Sequence, residues 1–353
     1  MALGMHWSPS RAAQIERAYP AVSAMNSSPA ERDARGRLDA RIQELGRTFP
    51  GHVGIAVRDL RTGWLTAYNG ASYFPQQSVS KFWVALTALE KVDRGEVDLD
   101  RQVVLTSADL TLFHQPIAQL VRGGSYTTTL GELMSRALQQ SDNTCNDVIL
   151  RHAGGPEAVR SFLRRHEIEG VRFGPGERML QSATAGLTWK PEYSVGNAFS
   201  VARSKLPMSI RRAAFERYLA NPMDGATPLG LTEGLAKLKL GQLLSPSSTA
   251  RLLNTMSHTK TGPQRLKGGL APGWTLAHKT GTGQDLAGTV GGYNDVGVIT
   301  APDGRSYAVA VLIGRTTAPI PQRMRLMNEV VRTVIGFNDN LSQYQSVASS
   351  RLR

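Results

Sequence analysis

Gln77-Ser78-Val79-Ser80-Lys81-Phe82-Trp83-Val84-Ala85-Leu86 is the stretch on which the reading of this chain turns. A turn-like run, Tyr73-Phe74-Pro75-Gln76, leads into it, and its apolar continuation predicts a helix that ends near Gly95. Ser78 and Lys81 stand three apart at the start of that helix. Such positions share a helix face, which sets the Lys81 ammonium beside the Ser78 hydroxyl. A serine hydroxyl is a weak nucleophile until a neighbouring base takes its proton. A lysine whose pKa is lowered by burial or by other cations is such a base. The helix start adds the positive end of the macrodipole, which favours an oxyanion forming next to the serine. Ser-x-x-Lys alone is a common pattern, and a capping serine followed by a surface lysine spells it equally well.

Upstream, residues 1–27 read as an irregular N-terminal arm. Ser28-Pro29-Ala30-Glu31 is a capping box with proline at the first helical position, opening a helix to about Gly46 with Leu38, Ile42 and Leu45 on one face. His52–Val57 and Trp64–Tyr68 read as the strands of a hairpin turning at Arg61-Thr62-Gly63. Downstream, Glu96–Tyr126 reads as loop-rich. Thr129-Leu130-Gly131-Glu132 is a second capping box, and Thr227-Pro228 and Ser245-Pro246 start further helices. Strands return at Trp274–His278, Gly292–Thr300 and Tyr307–Ile313, before a last helix from about Pro321 to Ile335. Strands at both ends and helices between predict an α/β two-lobed fold: an antiparallel sheet formed by both chain ends and flanked by helices, with an inserted all-helical lobe. The expected boundaries are 28–70 and 258–340 for the α/β lobe, 71–257 for the helical lobe, and 341–353 for a C-terminal tail.

The chain has 353 residues, 41% of them hydrophobic, which is enough for a large core. It contains no run of about 18 apolar residues, so no membrane span is expected, and no signal-peptide h-region is visible. A single cysteine, Cys145, excludes an intrachain disulfide. The seven histidines show no metal-ligand spacing, so no metal and no cofactor are expected. The net charge of +13 permits nucleic-acid binding, but the basic residues are scattered and no nucleic-acid motif accompanies them. The expected partner is therefore a small, anionic molecule, and no nucleic acid.

Three patterns fall in order along the chain: Ser78-Val79-Ser80-Lys81, Ser141-Asp142-Asn143 and Lys279-Thr280-Gly281. The set resembles the serine β-lactamases and penicillin-binding proteins, and the resemblance spans about Ser28 to Ile335. It implies a helical lobe against an α/β lobe with the active site between them, a β-lactam substrate, a monomer, and a periplasmic or secreted location. It further implies Ser78 as nucleophile, Lys81 as base or relay, Ser141 as proton donor to the leaving nitrogen, and Asn143 as a substrate amide contact. Lys279, Thr280, Gly281 and Thr282 would receive the substrate along an edge strand, with the Ser78 and Thr282 backbone N–H groups as oxyanion hole. Lys260-Thr261-Gly262 spells the third pattern again, but Pro263 follows it and a helix precedes it, so Lys279-Thr280-Gly281 is the expected one. Arg265 matches a position where some class A enzymes bind the substrate carboxylate.

Arg172–Gln181 resembles the omega loop of class A β-lactamases, expected here over 171–183. Its Glu177 would direct water onto the acyl-enzyme, and Gln181 stands where the family has asparagine. Two alternatives accompany this reading: a D,D-peptidase or penicillin-binding protein that acylates without efficient turnover, and a non-hydrolytic β-lactam sensor. Three departures stand out. Asp147 replaces an asparagine next to Glu177, and two close carboxylates cannot both ionise cheaply, which predicts a raised pKa for Glu177. His278 replaces a common aspartate. About 40 residues follow Gln181 where the family has a short connection. The segment 184–220 is expected to be an insertion carrying a helix, Ser209–Leu219, that caps the site, reshapes it or enlarges the lobe.

Overall fold

The structure, a computed structural model, describes residues 28–350. The expected N-terminal arm, 1–27, lies outside the described residues. Helix α1, Pro29–Thr48, begins as its capping sequence predicts: the Ser28 side chain accepts from the Glu31 N–H at 3.1 Å. Such a cap contributes about 1 kcal/mol. Leu38, Ile42 and Leu45 are buried on one stripe.

The main sheet joins the two chain ends. Strand β1, Gly51–Asp59, pairs with β2, Leu65–Tyr68, on one side. On its other side lies β11, Ser306–Thr316, followed by β10, Tyr293–Thr300, and β7, Thr275–Thr282. Every neighbouring pair in the order β2-β1-β11-β10-β7 is antiparallel, and β7 is the far edge. Both faces of β1 and β11 are covered, which is why they read as continuous apolar runs instead of alternating ones. One face packs against α1 and α12, Ile320–Ser350, over a core that includes Ile55, Val311 and Val330. The other packs against the helical lobe, where Phe74, Phe82 and Trp83 are fully buried. The expected architecture is thus the observed one.

Two local expectations are corrected. Glu96–Tyr126 is not simply loop: β4, Gln102–Thr106, pairs with β5, Ser125–Thr129, and a short helix α3, Ala118–Val121, lies between them. Helix α12 does not stop at Ile335, because buried Phe337 and Leu341 carry its apolar stripe further and the expected tail begins inside it.

The helical lobe contributes α2, Lys81–Asp93, then α4, Leu130–Gln139, α5, Asn143–His152, and α6, Gly155–Arg165. The expected omega loop is partly helical, since α7 spans Glu177–Thr184. The segment after it folds into two helices, α8, Ala198–Lys205, and α9, Met208–Ala220. Strand β6, Gly225–Ala226, α10, Pro228–Lys239, and α11, Pro246–Ser257, then lead back to the sheet. The hairpin β8, Asp285–Leu286, with β9, Thr289–Val290, joins β7 to β10.

Candidate active site

Ser78 does not sit on an α-helix, as its sequence neighbourhood predicts. Gln77–Ser80 form a 3-10 turn, and α2 begins only at Lys81. Gln77 holds φ at +54°, a left-handed conformation that costs a non-glycine residue energy and recurs at functional sites. The turn nevertheless keeps the expected juxtaposition, with Lys81 Nζ donating to Ser78 Oγ at 2.8 Å. The same ammonium donates to Asn143 Oδ1 at 2.8 Å and to Glu177 Oε1. Lys81 is 1% exposed and Glu177 3%, so this is a buried ion pair whose charges are satisfied by each other and by neutral groups.

Ser141 is also left-handed, with φ +61°, at the bend between α4 and α5. Asp142 caps α5 by accepting from the Cys145 N–H at 3.0 Å and ties down the Ile117 N–H at 2.7 Å. Asp142 thus holds this loop. Lys279 Nζ, fully buried on β7, donates to Ser141 Oγ at 2.9 Å. Burial pushes the Lys279 pKa well below the ordinary lysine value, and the charges of Lys81 and Arg265 push it the same way.

Strand β7 closes tightly on the Ser78 turn. A Cβ at Gly281 would lie 2.3 Å from the Gln76 carbonyl oxygen, so the glycine of Lys279-Thr280-Gly281 is a matter of space. Thr282, next on the edge strand, is exposed. Arg265 reaches it: Nη2 donates to Thr282 Oγ1 at 2.6 Å, and Nη1 donates to the carbonyls of Gly281 at 3.0 Å and Asn294 at 2.7 Å. Its guanidinium lies 3.8 Å from the centroid of the Tyr293 ring. The predicted residues fall into three groups of contacts: Ser78, Asn143 and Glu177 on Lys81, Ser141 on Lys279, and Gly281 and Thr282 on Arg265.

Thr280 adds a surprise from the repeated motif. Lys260-Thr261-Gly262 is not the strand motif, yet Thr261 Oγ1 lies 2.6 Å from Thr280 Oγ1 and belongs to the same site. His278, the departure beside the third motif, bonds through Nδ1 to Asp295 Oδ1 at 2.8 Å. The carboxylate absent from position 278 is thus supplied across the strand pair.

Asp147 accepts from the backbone N–H of Glu177 at 3.0 Å and of Arg178 at 3.4 Å, so it caps the first turn of α7. Burial first and the Glu177 charge second raise the Asp147 pKa to about 6. Glu177 Oε2 accepts from Gln181 Nε2 at 3.2 Å. Sequence reasoning missed Gln77, Tyr218 and Asp224. Tyr218 OH donates to Asp224 Oδ1 at 2.9 Å, and Gln77 Nε2 donates to Tyr218 OH at 2.7 Å. The left-handed backbone before Ser78 was the one local hint, and it is not a sequence signal.

Among the described residues no group of three or more His, Cys, Asp or Glu could hold a metal ion, and no helix is long and apolar enough to cross a membrane. A cavity of about 1510 Å³ is lined by Tyr73, Arg160, Arg172 and Lys237 among others and includes none of the motif residues.

Comparison with known proteins gives the family. Beta-lactamase SME-1 from Serratia marcescens is 27% identical over 317 residues, covering 89% of this chain and 92% of that protein. Extended-spectrum beta-lactamase PER-1 from Pseudomonas aeruginosa is 28% identical over 270 residues, covering 76% of this chain and 77% of that protein. Among solved structures, an ancestral class A beta-lactamase superposes with a TM-score of 0.66 at 30% identity, covering 85% of this chain and 99% of the other. The model of the beta-lactamase enzyme family matches residues 37–337. The chain therefore belongs to the beta-lactamase enzyme family, as a divergent member of its class A serine branch.

Proposed function

We propose that the protein opens β-lactam rings through an acyl-enzyme on Ser78 and hydrolyses that ester with water activated by Glu177. The observation that carries this reading is the Lys81 ammonium, which bridges Ser78 Oγ and Glu177 Oε1 in one buried contact set. One Lys81 proton passes to Glu177, which leaves a neutral amine 2.8 Å from Ser78 Oγ. Lys81 then takes the serine proton as Oγ attacks the lactam carbonyl carbon. The oxyanion forms between the N–H groups of Ser78 and Thr282. Collapse breaks the carbon–nitrogen bond, and the nitrogen takes a proton from Ser141 Oγ. Lys279, 2.9 Å away and already disposed to lose a proton, replaces it and recovers one from solvent. Glu177 releases its proton to solvent, then takes one from water. The hydroxide attacks the ester carbonyl, the adduct collapses, and Ser78 Oγ departs with a proton from Lys81, which recovers one from Glu177.

Binding follows from charge. The β-lactam carboxylate lies against Lys279, Thr280, Thr282 and Arg265, and its amide against Asn143. The basic net charge suits an anionic substrate in an anionic envelope, consistent with a monomeric protein in the periplasm or outside the cell.

The test is Glu177→Gln, which keeps shape and removes basicity. Nitrocefin turnover is expected to fall by about 10²–10⁴-fold. Acylation slows less than hydrolysis, because Lys81 can lose its proton to solvent instead, so a covalent adduct equal in mass to the intact β-lactam accumulates on Ser78. A wild type that already holds a long-lived adduct, unchanged by the substitution, would replace hydrolysis with the penicillin-binding reading. A wild type that binds without an adduct would make the protein a sensor.

A further inference from the structure

The segment 184–220 sends one buried side chain towards the reacting groups. Helix α9 packs on the turn before β10: a Cβ at Gly291 would come within 2.8 Å of the Phe215 ring and 3.0 Å of Leu219. Glu216 of the same helix ion-pairs with Arg315 of β11, with Nη2 donating to Oε1 at 2.9 Å. That docking places Tyr218, 4% exposed, between Gln77 and Asp224.

The hydrogen bonds in this pocket have a direction. Asp224 is 1% exposed, and its carboxylate is held by the Tyr218 hydroxyl and, at 2.8 Å, by the Gln77 backbone N–H. An ionised carboxylate only accepts, so the single Tyr218 proton is committed to it. The hydroxyl oxygen must then accept from the Gln77 amide, which turns Gln77 Nε2 to Tyr218 and Gln77 Oε1 to Gln181. Gln77 Oε1 accepts, so Gln181 presents its NH2, and that group also reaches Glu177 Oε2 at 3.2 Å. Amide orientation follows from the network in which it sits. Here the network starts at a carboxylate that cannot donate and ends on the carboxylate proposed to activate water. Gln284 Nε2 closes it from the far side, donating to Gln181 Oε1 at 3.1 Å.

We propose that Tyr218 is a positioning residue for hydrolysis of the acyl-enzyme, fixing the amide of Gln77 and through Gln181 the carboxylate of Glu177. The proposal rests on the hydrolytic role given to Glu177 above. It gives the inserted helix a function: α9 supplies the donor that anchors Asp224, a buried carboxylate ion-paired with no arginine or lysine among the described residues. It also explains the left-handed Gln77, since that backbone presents its N–H to Asp224 and its side chain to Tyr218.

Tyr218→Phe removes the hydroxyl and frees the Gln77 amide to turn over, which brings the Gln181 carbonyl to face Glu177. Quenched-flow intact-mass analysis separates formation of the acyl adduct from its decay. Decay is expected to slow about tenfold, the worth of one buried hydrogen bond, while adduct formation stays within about twofold of wild type. In a Gln181→Ala background the same substitution is expected to leave decay unchanged, because the link to Glu177 is already cut. Should Tyr218→Phe not fold, Gln77→Leu cuts the chain one link nearer Ser78 and carries both expectations. Wild-type decay in the variant overturns the proposal, as does an equal slowing with and without Gln181. A wild type with no hydrolysis removes the underlying reading as well, and it is measured first, so the two failures are told apart.

Discussion

Replacing Arg265 by alanine tests how the site holds an anion, and the structure sets the size of the effect. Two of the five guanidinium N–H groups go from Nη1 to the carbonyls of Gly281 and Asn294, and one goes from Nη2 to Thr282 Oγ1. Nε is buried and has no hydrogen-bond partner among the described residues. A planar guanidinium matches a carboxylate, and the Tyr293 ring beneath keeps the plane in place. A charge-assisted bond of this kind contributes about 1.5–3 kcal/mol. Arg265→Ala is therefore expected to raise KM for benzylpenicillin about 10–150-fold, with kcat little changed. Arg265→Lys keeps the charge and loses the fork, so an intermediate KM is expected. Steady-state assays with the penicillin and its methyl ester complete the cycle: the ester costs wild type more than it costs Arg265→Ala, by the factor that Arg265 contributes. An unchanged KM, or equal losses for acid and ester, would refute the reasoning and leave Lys279 as the principal contact.

Ser78→Ala is expected to abolish the covalent adduct by intact-mass analysis, and an adduct that persists on another residue would remove the assignment. Asp147 carries a pH prediction. Its folded pKa, about 6, lies above the ordinary 3.8, so the folded state binds its proton more tightly than the unfolded state. Stability from this group is fully present below about pH 4 and is lost as the pH rises through about 6, by at most about 3 kcal/mol. Asp147→Asn keeps the shape and one acceptor for the Glu177 N–H, so its Tm relative to wild type should climb between pH 4.5 and pH 7. Asp224, also raised to about 6, is present in both proteins and cancels in the difference. Parallel Tm curves would show that Asp147 is not the group responsible.

Much of the fold was legible because local and global signals agreed. Ser28-Pro29 and Thr129 to Glu132 start helices where their caps say, and each capping side chain accepts the N–H three residues on. The three motifs carried the site because each needs only its own neighbours to be placed. The pair β4 and β5 was missed because Ser125–Thr129 is polar with one buried residue, and shows no apolar alternation to betray a strand. The 3-10 turn at Ser78 was missed because strain at Gln77 is imposed by Asp224, Tyr218 and Gly291, all distant in sequence. Thr261 was set aside for a sound reason, its lack of a strand, and reached the site from a loop instead. Asp147 was read only as a second carboxylate beside Glu177, and its own raised pKa comes first from burial, which sequence does not show.

The pairing of β1 with β11 also governs how the protein is made. Gly51 lies opposite Thr316, with the whole helical lobe encoded between them. The central seam of the sheet therefore cannot close until almost all of the chain has left the ribosome. Contacts this remote close slowly, because the loop-closure cost comes before any packing returns it. Until then β1, buried along seven consecutive residues in the finished protein, waits as an apolar strand with an open edge. The nascent chain spends its synthesis extended and exposed, prone to aggregate if left alone and still thin enough to be threaded through a pore.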